Sequence, residues 1–489
     1  MRTRYFSASK RMVGIVLVSL LGFSSCNEFL DINENPNNPD NAAPSLLLPT
    51  VEASVSQVVG NSFQIYGGIW GQYWAQNVAS SQYKTVEDYN IISTAFNVAW
   101  SILYRNAFNN AQLIINDQET ASSEYYKAIA YILKAYTAQL ATDAFGDIPL
   151  GEAMNPSMYD NPHYDDQKTV YDSIFHYLDL GIALAQTPDA ADPGSQDMLM
   201  GGDMERWIAF ANTLKLRAYL RLSGVDEGFA ESGIQALYAS NPAFLNADVS
   251  IGYLTVGGNE NPLYNEMVGL GYTQNLVASG TAVQAYNRNS DPRVFSFYDR
   301  LEGRDTITYL PQGAYDDTDY TGKLYSSPSS LVGARANDAG SATAPVKLIS
   351  AAESYFLQAE AASRGWGTGD AKELFKLGIE ESFAAADLSS NEANAYFTAA
   401  PDAEELFDED ELKAIITQKY YAMNGFQGFE AWTEWRRTGY PDFFVVSQSS
   451  SLSGDNMPLR FPYPNSEITS NTNFPTVKSV DTPVWWDVD

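Results

Sequence analysis

Apolar residues recur at intervals of three and four along much of this 489-residue chain, which is the period of one buried face of an α-helix. In the segment 123–144 the recurring residues are Tyr126, Ile129, Leu133, Tyr136 and Leu140. The segment 204–222 repeats the pattern with Trp207, Ala211, Leu214 and Ala218. The same reasoning predicts further helices at 42–59, 62–77, 95–116, 169–186, 405–423 and 427–436. The chain is therefore expected to be mainly α-helical.

Two further helix starts follow from capping signals. Ser350 and Asp370 each stand three residues before a glutamate, Glu353 or Glu373, which is the spacing at which a side-chain oxygen accepts from a free N–H of the first turn. The helices predicted from these signals are 351–363 and 371–384. The predicted helices fall into pairs joined by short connections. This indicates helical hairpins stacked side by side, as in tetratricopeptide-like arrays, although no 34-residue repeat is visible.

Three long stretches without helical periodicity interrupt the pairs, at 145–167, 239–347 and 437–489. In compact proteins such segments are usually packed against the scaffold or functional. We expect the stretch 239–347 to contain a few short β-hairpins that build a surface over the helices. Residues 42–489 are thus interpreted as a single domain, mainly α, with tetratricopeptide-like helical pairs as scaffold, long irregular loops and a central loop-rich insert at 239–347.

The first 26 residues have the layout of an export signal. A basic start is followed by an apolar run at 12–23, two serines and Cys26. The run is about half the ~20 residues that a membrane-spanning helix needs. We therefore predict a lipoprotein signal peptide at 1–25, lipidation of Cys26 and a polar tether at 26–41. An ordinary secretory signal beside an incidental cysteine is the alternative.

The chain is strongly acidic, with 60 acidic and 29 basic residues and a formal net charge of −31. Such a surface repels phosphate groups, which argues against nucleic acid as a partner. Polyanionic ligands are disfavoured for the same reason, although a local basic pocket would override the global field. Cys26 is the only cysteine, so the sequence permits neither an intrachain disulfide nor a cysteine-based zinc cage.

The sequence carries no recognisable signal for catalysis, a metal or a cofactor. Its two histidines, His163 and His176, do not form a zinc motif, and there is no Gly-x-Ser-x-Gly elbow or P-loop. The segments 31–37 and 316–319 resemble calcium loops only loosely, and a linker and a solvated acidic turn are the favoured interpretations. Glycoside hydrolysis needs two carboxyl groups at a specific distance from each other. The presence of 60 acidic residues does not show that any two of them have this separation. We predict a protein that is not an enzyme.

Aromatic residues make up 13% of the chain, including 31 Tyr and 9 Trp, and they favour ligand capture. Tyr and Trp offer an apolar face for stacking and a polar tip for a hydrogen bond. In the densest cluster, Tyr66, Trp70 and Tyr73 have helical spacing and are assigned to the core. The predicted ligand-binding residues lie at the end of that helix, in the following loop and in the insert: Trp74, Gln76, Asn77, Gln82, Tyr83, Tyr89, Tyr272 and Asn275.

Six segments, in this order along the chain, resemble the signatures of one family. They are 26–31 (CNEFLD), 143–153 (DAFGDIPLGEA), 215–221 (KLRAYLR), 355–360 (YFLQAE), 435–439 (WRRTG) and 460–467 (RFPYPNSE). As an ordered set they are similar to the SusD/RagB nutrient-binding lipoproteins of Bacteroidetes. The resemblance implies a SusD-like helical fold, attachment to the outer membrane at the cell surface, and a SusC-like TonB-dependent transporter as partner.

The charged and glycine residues of these segments are expected to have structural roles. The residues predicted to form internal ion pairs are Arg217, Arg221, Glu360, Arg436, Arg460 and Glu467. Gly146 and Gly439 are predicted to supply turn conformations that a Cβ would obstruct. Ligand contact is therefore expected from the loops rather than from these signature residues.

Three functions remain open at this point. The preferred one is a surface-exposed lipoprotein that captures a glycan or oligosaccharide and delivers it to the SusC-like transporter. The second keeps the same architecture but binds peptides, as the RagB branch of the resemblance permits. The third is a surface glycosidase, which would release reducing ends from a polysaccharide.

Overall fold

The helices predicted from apolar periodicity are present and pack against one another in consecutive pairs. The structure is a computed structural model and describes residues 42–488. The helices of the N-terminal half are α1 (Pro44–Val58), α2 (Gln64–Trp70), α3 (Lys84–Glu87), α4 (Asn97–Ser101), α5 (Asn109–Asn116), α6 (Glu124–Phe145), α7 (Gln167–Ala185), α8 (Met204–Arg221) and α9 (Glu227–Ala239). Those of the C-terminal half are α10 (Pro262–Gly269), α11 (Gly280–Arg288), α12 (Val294–Phe297), α13 (Ala339–Thr343), α14 (Ala351–Ser363), α15 (Ala371–Ala385), α16 (Ser390–Ala399), α17 (Leu406–Glu409), α18 (Glu411–Met423), α19 (Gly428–Thr438) and α20 (Asn465–Ser470). The most extensive packing joins α6 to α7 and α14 to α15.

Two predicted helices differ from their sequence pattern. The helix predicted at 62–77 ends at Trp70, and the ring of Trp74 then folds back over Gly68, where a Cβ would lie 2.5 Å from that ring. The helix predicted at 405–423 is divided at Asp410, whose side chain accepts from the N–H of Lys413 at 3.0 Å and so starts α18. In both cases a local packing or capping contact overrides the apolar period.

Eight helices of the described residues 42–488 were not predicted from the sequence: α3, α9, α10, α11, α12, α13, α16 and α20. The two longest of them are α9 and α16. α9 begins after Asp226, whose side chain accepts from the N–H of Phe229. α16 begins with a complete capping box, in which Ser389 accepts from the N–H of Glu392 and the Glu392 carboxylate accepts from the N–H of Ser389. The signal for α16 was therefore in the sequence, although few apolar residues follow it.

Both predicted helix starts at capping signals are confirmed. The Ser350 hydroxyl accepts from the N–H of Glu353 at 3.1 Å, and Asp370 accepts from the N–H groups of Lys372 and Glu373 at 2.9 and 3.0 Å. The carboxylate of Glu353 turns into the interior, where it lies 3.3 Å from Arg217. Ser350 thus caps α14 while the glutamate of the same motif joins a buried ion network.

The short strands are connected over long distances in the sequence rather than as local hairpins. Strand β1 (Trp74–Gln76) pairs antiparallel with β3 (Leu276–Ala278), and β2 (Val249–Ile251) pairs antiparallel with β4 (Val346–Ile349). Gln76 lies opposite Leu276, and Trp74 lies opposite Ala278. The expected hairpins inside the insert are corrected by this topology, which fastens the insert to the first loop of the scaffold.

Aromatic side chains fill the centre of the core, and the C-terminal segment contributes to it. The ring of Phe461 stacks on Trp432 at 5.4 Å and on Phe96 at 4.2 Å between centroids. The neighbouring Arg460 donates a hydrogen bond to the carbonyl of Phe145. Gly146 has a φ of +94°, and a Cβ there would lie 2.3 Å from the guanidinium of Arg460. The predicted turn role of Gly146 is confirmed, because both its φ and this close approach require glycine.

A buried ion network joins α6, α8, α14, α18 and α19. Its cations are Arg217, Arg221, Lys419 and Arg437, and its anions are Asp143, Glu353, Glu360, Glu430 and Glu434. At its centre Arg221 is fully buried and forms ion pairs with Asp143, Glu430 and Glu434. Arg437 bridges Glu360 and Glu434 at 2.7 Å each. The predicted ion pairs of Arg217, Arg221 and Glu360 are confirmed.

The cations of this network lower the pKa of Glu360, Glu430 and Glu434. At Asp143 and Glu353 burial outweighs the nearby cations, and the pKa is raised. Burial alone would raise the pKa of Glu434, but Arg437 and Lys419 hold it well below its ordinary value. Burial would also raise the pKa of Glu430, but the nearby Arg221 outweighs it, so that the pKa is lowered. Each cation is therefore required to compensate the desolvation of its partners.

The other residues predicted to form ion pairs hold their segments through hydrogen bonds. Arg436 donates to the carbonyls of Asp143 and Leu459 at 2.8 and 2.9 Å, and Arg460 binds the carbonyl of Phe145 as described above. Glu467 accepts from the indole N–H of Trp100 at 3.2 Å and from the hydroxyl of Tyr164 at 2.9 Å. Their role in fixing loops to the scaffold is the one predicted, with different partners.

A second buried carboxyl pair lies between α1 and the turn before α8. Glu52 is fully buried beside Asp197, and its carboxyl accepts from the N–H of Met198 at 2.7 Å. Asp197 accepts from the indole N–H of Trp207 at 2.7 Å. Burial, reinforced by the charge of Asp197 and a hydrogen bond to it, raises the pKa of Glu52 to about 10. Glu52 is therefore protonated at neutral pH and donates to Asp197.

The predicted signal peptide, Cys26 and the tether at 26–41 lie outside the described residues. From Pro44 onward the chain forms one compact unit. Within 42–488, no helix combines the length and the apolar character needed to cross a bilayer.

Candidate ligand-binding site

A pocket of about 340 Å³ is lined by the end of α1, the start of α2, the loop after β1, α4 and α10. The lining residues with polar or aromatic groups are Gln57, Asn61, Ser62, Tyr66, Gln82, Tyr83, Thr85 and Glu266. The aliphatic ones are Val58, Ile65, Val86, Ala95, Val98, Ala99 and Ile102. We call this cavity the Tyr83 pocket. An apolar wall with a few converging polar groups is the usual form of a small-ligand site.

Tyr83 has unused hydrogen-bonding capacity in this pocket. Its side chain is 6% exposed, and its hydroxyl has no hydrogen-bond partner among residues 42–488. A buried hydroxyl without a partner costs free energy, which a ligand that bonds to it would recover. Burial, together with the nearby Glu266 and Tyr66, raises the pKa of Tyr83 well above its ordinary value. The hydroxyl therefore keeps its proton and can both donate and accept.

Tyr66 and Glu266 complete the polar side of the pocket. The Tyr66 ring is fixed by Phe96 at 4.6 Å and by an edge contact with Trp70 at 5.7 Å. Burial and the charge of Glu266 raise the pKa of Tyr66 to about 12. The pocket thus offers two neutral phenol groups, one carboxylate and several amides. Such a set suits a ligand that carries many hydroxyl groups and no negative charge.

Asn61 and Ser62 reach the pocket from a π-helical turn, Val59–Phe63, that joins α1 to α2. A π turn holds an additional residue and so changes the direction of the side chains that follow it. At Gly60 a Cβ would lie 2.3 Å from a methyl group of Val346 and 2.8 Å from the ring of Pro262. Glycine is therefore required for this turn to lie against β4 and α10. Asn61 secures the contact by donating to the carbonyl of Pro262 at 3.0 Å.

Hydrogen bonds with Gln76 and Glu87 fix the loop that carries Gln82 and Tyr83. The Gln76 amide oxygen accepts from the N–H of Tyr83 at 2.6 Å, and its amide nitrogen donates to Ser80 at 2.8 Å. Glu87 accepts from the N–H groups of Gln76 and Gly313, both at 2.7 Å. Burial, opposed by these two hydrogen bonds, raises the pKa of Glu87 to about 8. Gln76 is thus a positioning residue of the loop.

The structure separates the predicted ligand-binding residues of the first loop. Gln82 and Tyr83 line the pocket, but Trp74, Gln76 and Tyr89 are buried. Trp74 has no exposed surface because strand β1 is covered on both faces, so the stacking face expected of it is not presented to solvent. The hydroxyl of Tyr89 accepts from the N–H of a residue in the C-terminal segment, Ser447, at 3.1 Å. These three positions are corrected from ligand contacts to core and support.

Asn77 and Asn275 are brought together, as a connection between the first loop and the insert. The N–H of Asn77 donates to the carbonyl of Asn275 at 2.8 Å, and the Asn77 side chain donates to the carbonyl of Gln274 at 2.8 Å. Asn275 is buried, so its predicted ligand contact is corrected to a loop tie. Tyr272 is 42% exposed and is not part of the Tyr83 pocket lining.

The described residues do not support a metal site. Within 42–488, no group of three or more His, Cys, Asp or Glu side chains has the arrangement to hold a metal ion. In the acidic turn at 316–319, Asp316 pairs with Lys84 at 2.6 Å. The segment 31–37 lies outside the described residues.

Five polar lining residues were not predicted from the sequence: Gln57, Asn61, Ser62, Glu266 and Thr85. Tyr66, which also lines the pocket, was assigned to the core. The sequence does not distinguish the first three from other polar residues of 51–65, because Glu52, Ser56 and Gln64 lie in the same stretch and are buried away from the pocket. Glu266 likewise gives no signal, since it is one of many acids in the insert. Its place in the pocket follows from the contact of α10 with the π turn.

Comparison with known families identifies this architecture. A SusD-like family model, described as "Starch-binding associating with outer membrane", matches residues 36–464. The chain belongs to the SusD-like family. The family assignment confirms the predicted SusD/RagB resemblance and accounts for the helical fold. No curated protein sequence matches this SusD-like chain.

Solved structures share the SusD-like fold over nearly the whole described chain. A chitin-binding protein aligns with a TM-score of 0.77 and 24% identity, covering 91% of this chain and 100% of its own. A chitin-binding SusD homologue from Flavobacterium johnsoniae aligns with a TM-score of 0.74 and 24% identity, covering 91% and 98%. A SusD/RagB family protein from Bacteroides thetaiotaomicron aligns with a TM-score of 0.75 and 23% identity, covering 92% and 99%. At these identities the likeness establishes the fold.

Proposed function

We propose that this SusD-like protein captures a glycan or oligosaccharide in the Tyr83 pocket and delivers it to a SusC-like TonB-dependent transporter. In this proposal the protein is held on the extracellular side of the outer membrane by lipid attached to Cys26. The family description supplies the association with starch and with the outer membrane. The capture step is supported by the geometry of the pocket itself.

The observation that carries the proposal is the buried Tyr83 hydroxyl, which lacks a partner among the described residues and lines a pocket rich in amides. Sugar hydroxyls both donate and accept, which matches a phenol and carboxamides. The aliphatic wall is suited to the C–H face of a pyranose ring. Glu266 adds an acceptor for sugar hydroxyls and disfavours an anionic ligand at this site.

Affinity electrophoresis tests the capture step directly. The chain from residue 27 onward, which contains every described element, is run through native gels that contain plant, microbial or host glycans. Retardation by one glycan class is expected. If no glycan retards the protein and defined peptides from a protease digest are enriched on it instead, the ligand is a peptide and the glycan proposal fails.

Tyr83→Phe is expected to weaken binding of the retarding glycan by roughly two- to tenfold, because it removes one hydrogen bond of about 0.5–1.5 kcal/mol and leaves the ring in place. The measurement is a dissociation constant by isothermal titration calorimetry. Tyr272→Phe removes the same hydroxyl from an exposed tyrosine outside the pocket and serves as the matched control. Equal affinities of the wild type and both variants would show that the glycan binds elsewhere.

The arrangement favours binding over hydrolysis. A retaining or inverting glycosidase uses two carboxyl groups about 5–10 Å apart on either side of the scissile bond. Among the described residues that line the Tyr83 pocket, Glu266 is the single carboxylate. We therefore propose a binding protein without catalytic activity. Release of reducing ends from the retarding glycan by the pure protein would contradict this.

Delivery to the transporter is tested by co-purification. An affinity-tagged chain is isolated from detergent-solubilised outer membranes, and a TonB-dependent barrel is expected to accompany it. A Cys26→Ala variant is expected to lose its association with the membrane, because acyl chains would no longer be attached. Recovery of that variant with the membrane at wild-type levels would contradict the anchor.

A further inference from the structure

A larger cavity, of about 460 Å³, lies between α5, α6, α7 and the segment 151–155. The residues that define it here are Gln112, Asn116, Tyr131, Lys134, Asn155 and Tyr177. We call it the Lys134 groove. Its polar lining has two tyrosines, three amides, one lysine and one histidine, His176, and among the described residues it contains no carboxylate, whereas the Tyr83 pocket contains Glu266.

Lys134 is buried in this groove with neutral partners. Its side chain is 4% exposed, and its ammonium donates to the amide oxygen of Gln112 at 2.6 Å. The ammonium also lies 4.3 Å from the ring centroid of Tyr177. An ammonium has three N–H donors, so these two contacts leave hydrogen-bonding capacity for a further acceptor.

The other buried lysines of residues 42–488 have carboxylate partners. Lys347 pairs with Asp248 at 2.7 Å. Lys419 lies within 4 Å of three carboxylates of the buried ion network. Lys134 forms no ion pair with any described residue of this strongly acidic chain. Burial lowers its pKa to about 8, which leaves the ammonium charged at neutral pH.

Two acidic residues lie at one wall of this groove, and both have other partners. Glu152, in the segment 151–155, pairs with His163 at 2.9 Å. Asp165 accepts from the N–H groups of Leu150 and Gly151 at 2.9 and 2.8 Å, next to the wall of the groove. Its carboxylate is thus engaged with the backbone and does not pair with Lys134. A buried cation that is left without an anion in a water-sized or larger cavity is the arrangement expected where the anion is supplied by a ligand.

We propose that the Lys134 groove is a second binding site, which takes a sugar that carries a carboxylate, such as a uronic acid residue. The carboxylate accepts from the Lys134 ammonium, and the sugar ring packs against the contacting pair of Tyr131 and Tyr177, whose ring centroids are 6.1 Å apart. Asn116 and Asn155 provide amides for the sugar hydroxyls. The groove thereby supplies the local cation that an acidic sugar needs to approach a protein of net charge −31.

The test compares an acid with its neutral counterpart. Digalacturonic acid and its methyl ester, which has the same rings without the charge, are titrated into the chain from residue 27 onward by isothermal titration calorimetry. The acid is expected to bind at least tenfold more tightly than the ester and than acetate. Equal binding of acid and ester, binding of acetate as tight as that of the acid, or no binding of the acid would overturn the proposal.

Two variants locate the site. Lys134→Met is expected to weaken binding of the acid at least tenfold, whereas Lys127→Met, which removes the same charge from the same helix outside the groove, leaves it unchanged. Tyr131→Ala, at the half-exposed rim, is expected to weaken binding at least threefold even if Lys134→Met does not fold. Tyr83→Phe is expected to have no effect on the acid, so failure here is distinct from failure of the glycan proposal. Wild-type affinity for the acid in both Lys134→Met and Tyr131→Ala would overturn the proposal of a second site.

Discussion

Arg221→Met is expected to destabilise the fold by about 3–5 kcal/mol, a large share of the stability of an ordinary domain. The arginine is fully buried and forms ion pairs with Asp143, Glu430 and Glu434. Removing it leaves Asp143 and Glu430 buried without their main counter-charge. The measurement is the free energy of unfolding from urea titrations followed by circular dichroism.

The matched control is a pair at the surface. Lys413 lies 2.6 Å from Asp442, with side chains 30% and 56% exposed, and Lys413→Met is expected to cost no more than about 1 kcal/mol. The comparison separates burial from the mere presence of an ion pair. A loss at Arg221 as small as the loss at Lys413 would show that the network is not required for stability.

Glu52→Gln is expected to remove a steep decline of stability with pH. Below the ordinary carboxyl pKa of 4.5, the folded and unfolded chains both hold the proton at Glu52. Above it the unfolded chain releases the proton while the folded chain keeps it until the pH approaches 10. The stability present at low pH is therefore lost as pH rises, at up to about 1.4 kcal/mol per pH unit from this residue.

Between pH 5 and pH 8 this residue alone is expected to reduce the free energy of unfolding by up to about 4 kcal/mol. Glutamine keeps a donor toward Asp197 and does not titrate, so Glu52→Gln is expected to be the more stable protein at pH 8. Urea titrations at both pH values measure the difference. Glu302→Gln, at an exposed loop carboxyl, is the control, and a Glu52→Gln profile parallel to that of the wild type would refute the shared proton.

The helical part of this fold could be predicted from the sequence because its signals are local. The spacing of apolar residues identified α6, α7 and α8, and Ser350 and Asp370 marked the starts of α14 and α15. The strands could not be predicted in the same way, since β1 finds its partner about 200 residues later in the insert. No short-range pattern encodes such a pairing, and each strand has only three or four residues.

The candidate site shows the same limit at the level of single residues. The sequence pointed to the segment 74–89, and two of the residues predicted there, Gln82 and Tyr83, line the pocket. It could not distinguish Tyr83 from Trp74, because their exposure depends on where α2 ends and on β3 covering β1. The ion network was predicted only in part. Arg217, Arg221 and Glu360 were recognised in the family signatures as ion-pair residues, but the network joins five different helices, and their partners could not be named from the sequence.

The N-terminal helices are fastened by residues from the other end of the chain, and this fixes the order in which the molecule can be assembled. Gln64 accepts from the N–H of Gly428, 364 residues away, and Gln72 donates to the carbonyl of Val445, 373 residues away. Closing such long loops costs chain entropy before the contacts between their ends stabilise the fold, and this slows folding. A partly synthesised chain therefore lacks the supports of the Tyr83 pocket, and we expect the proposed ligand binding only after the C-terminal segments have been made.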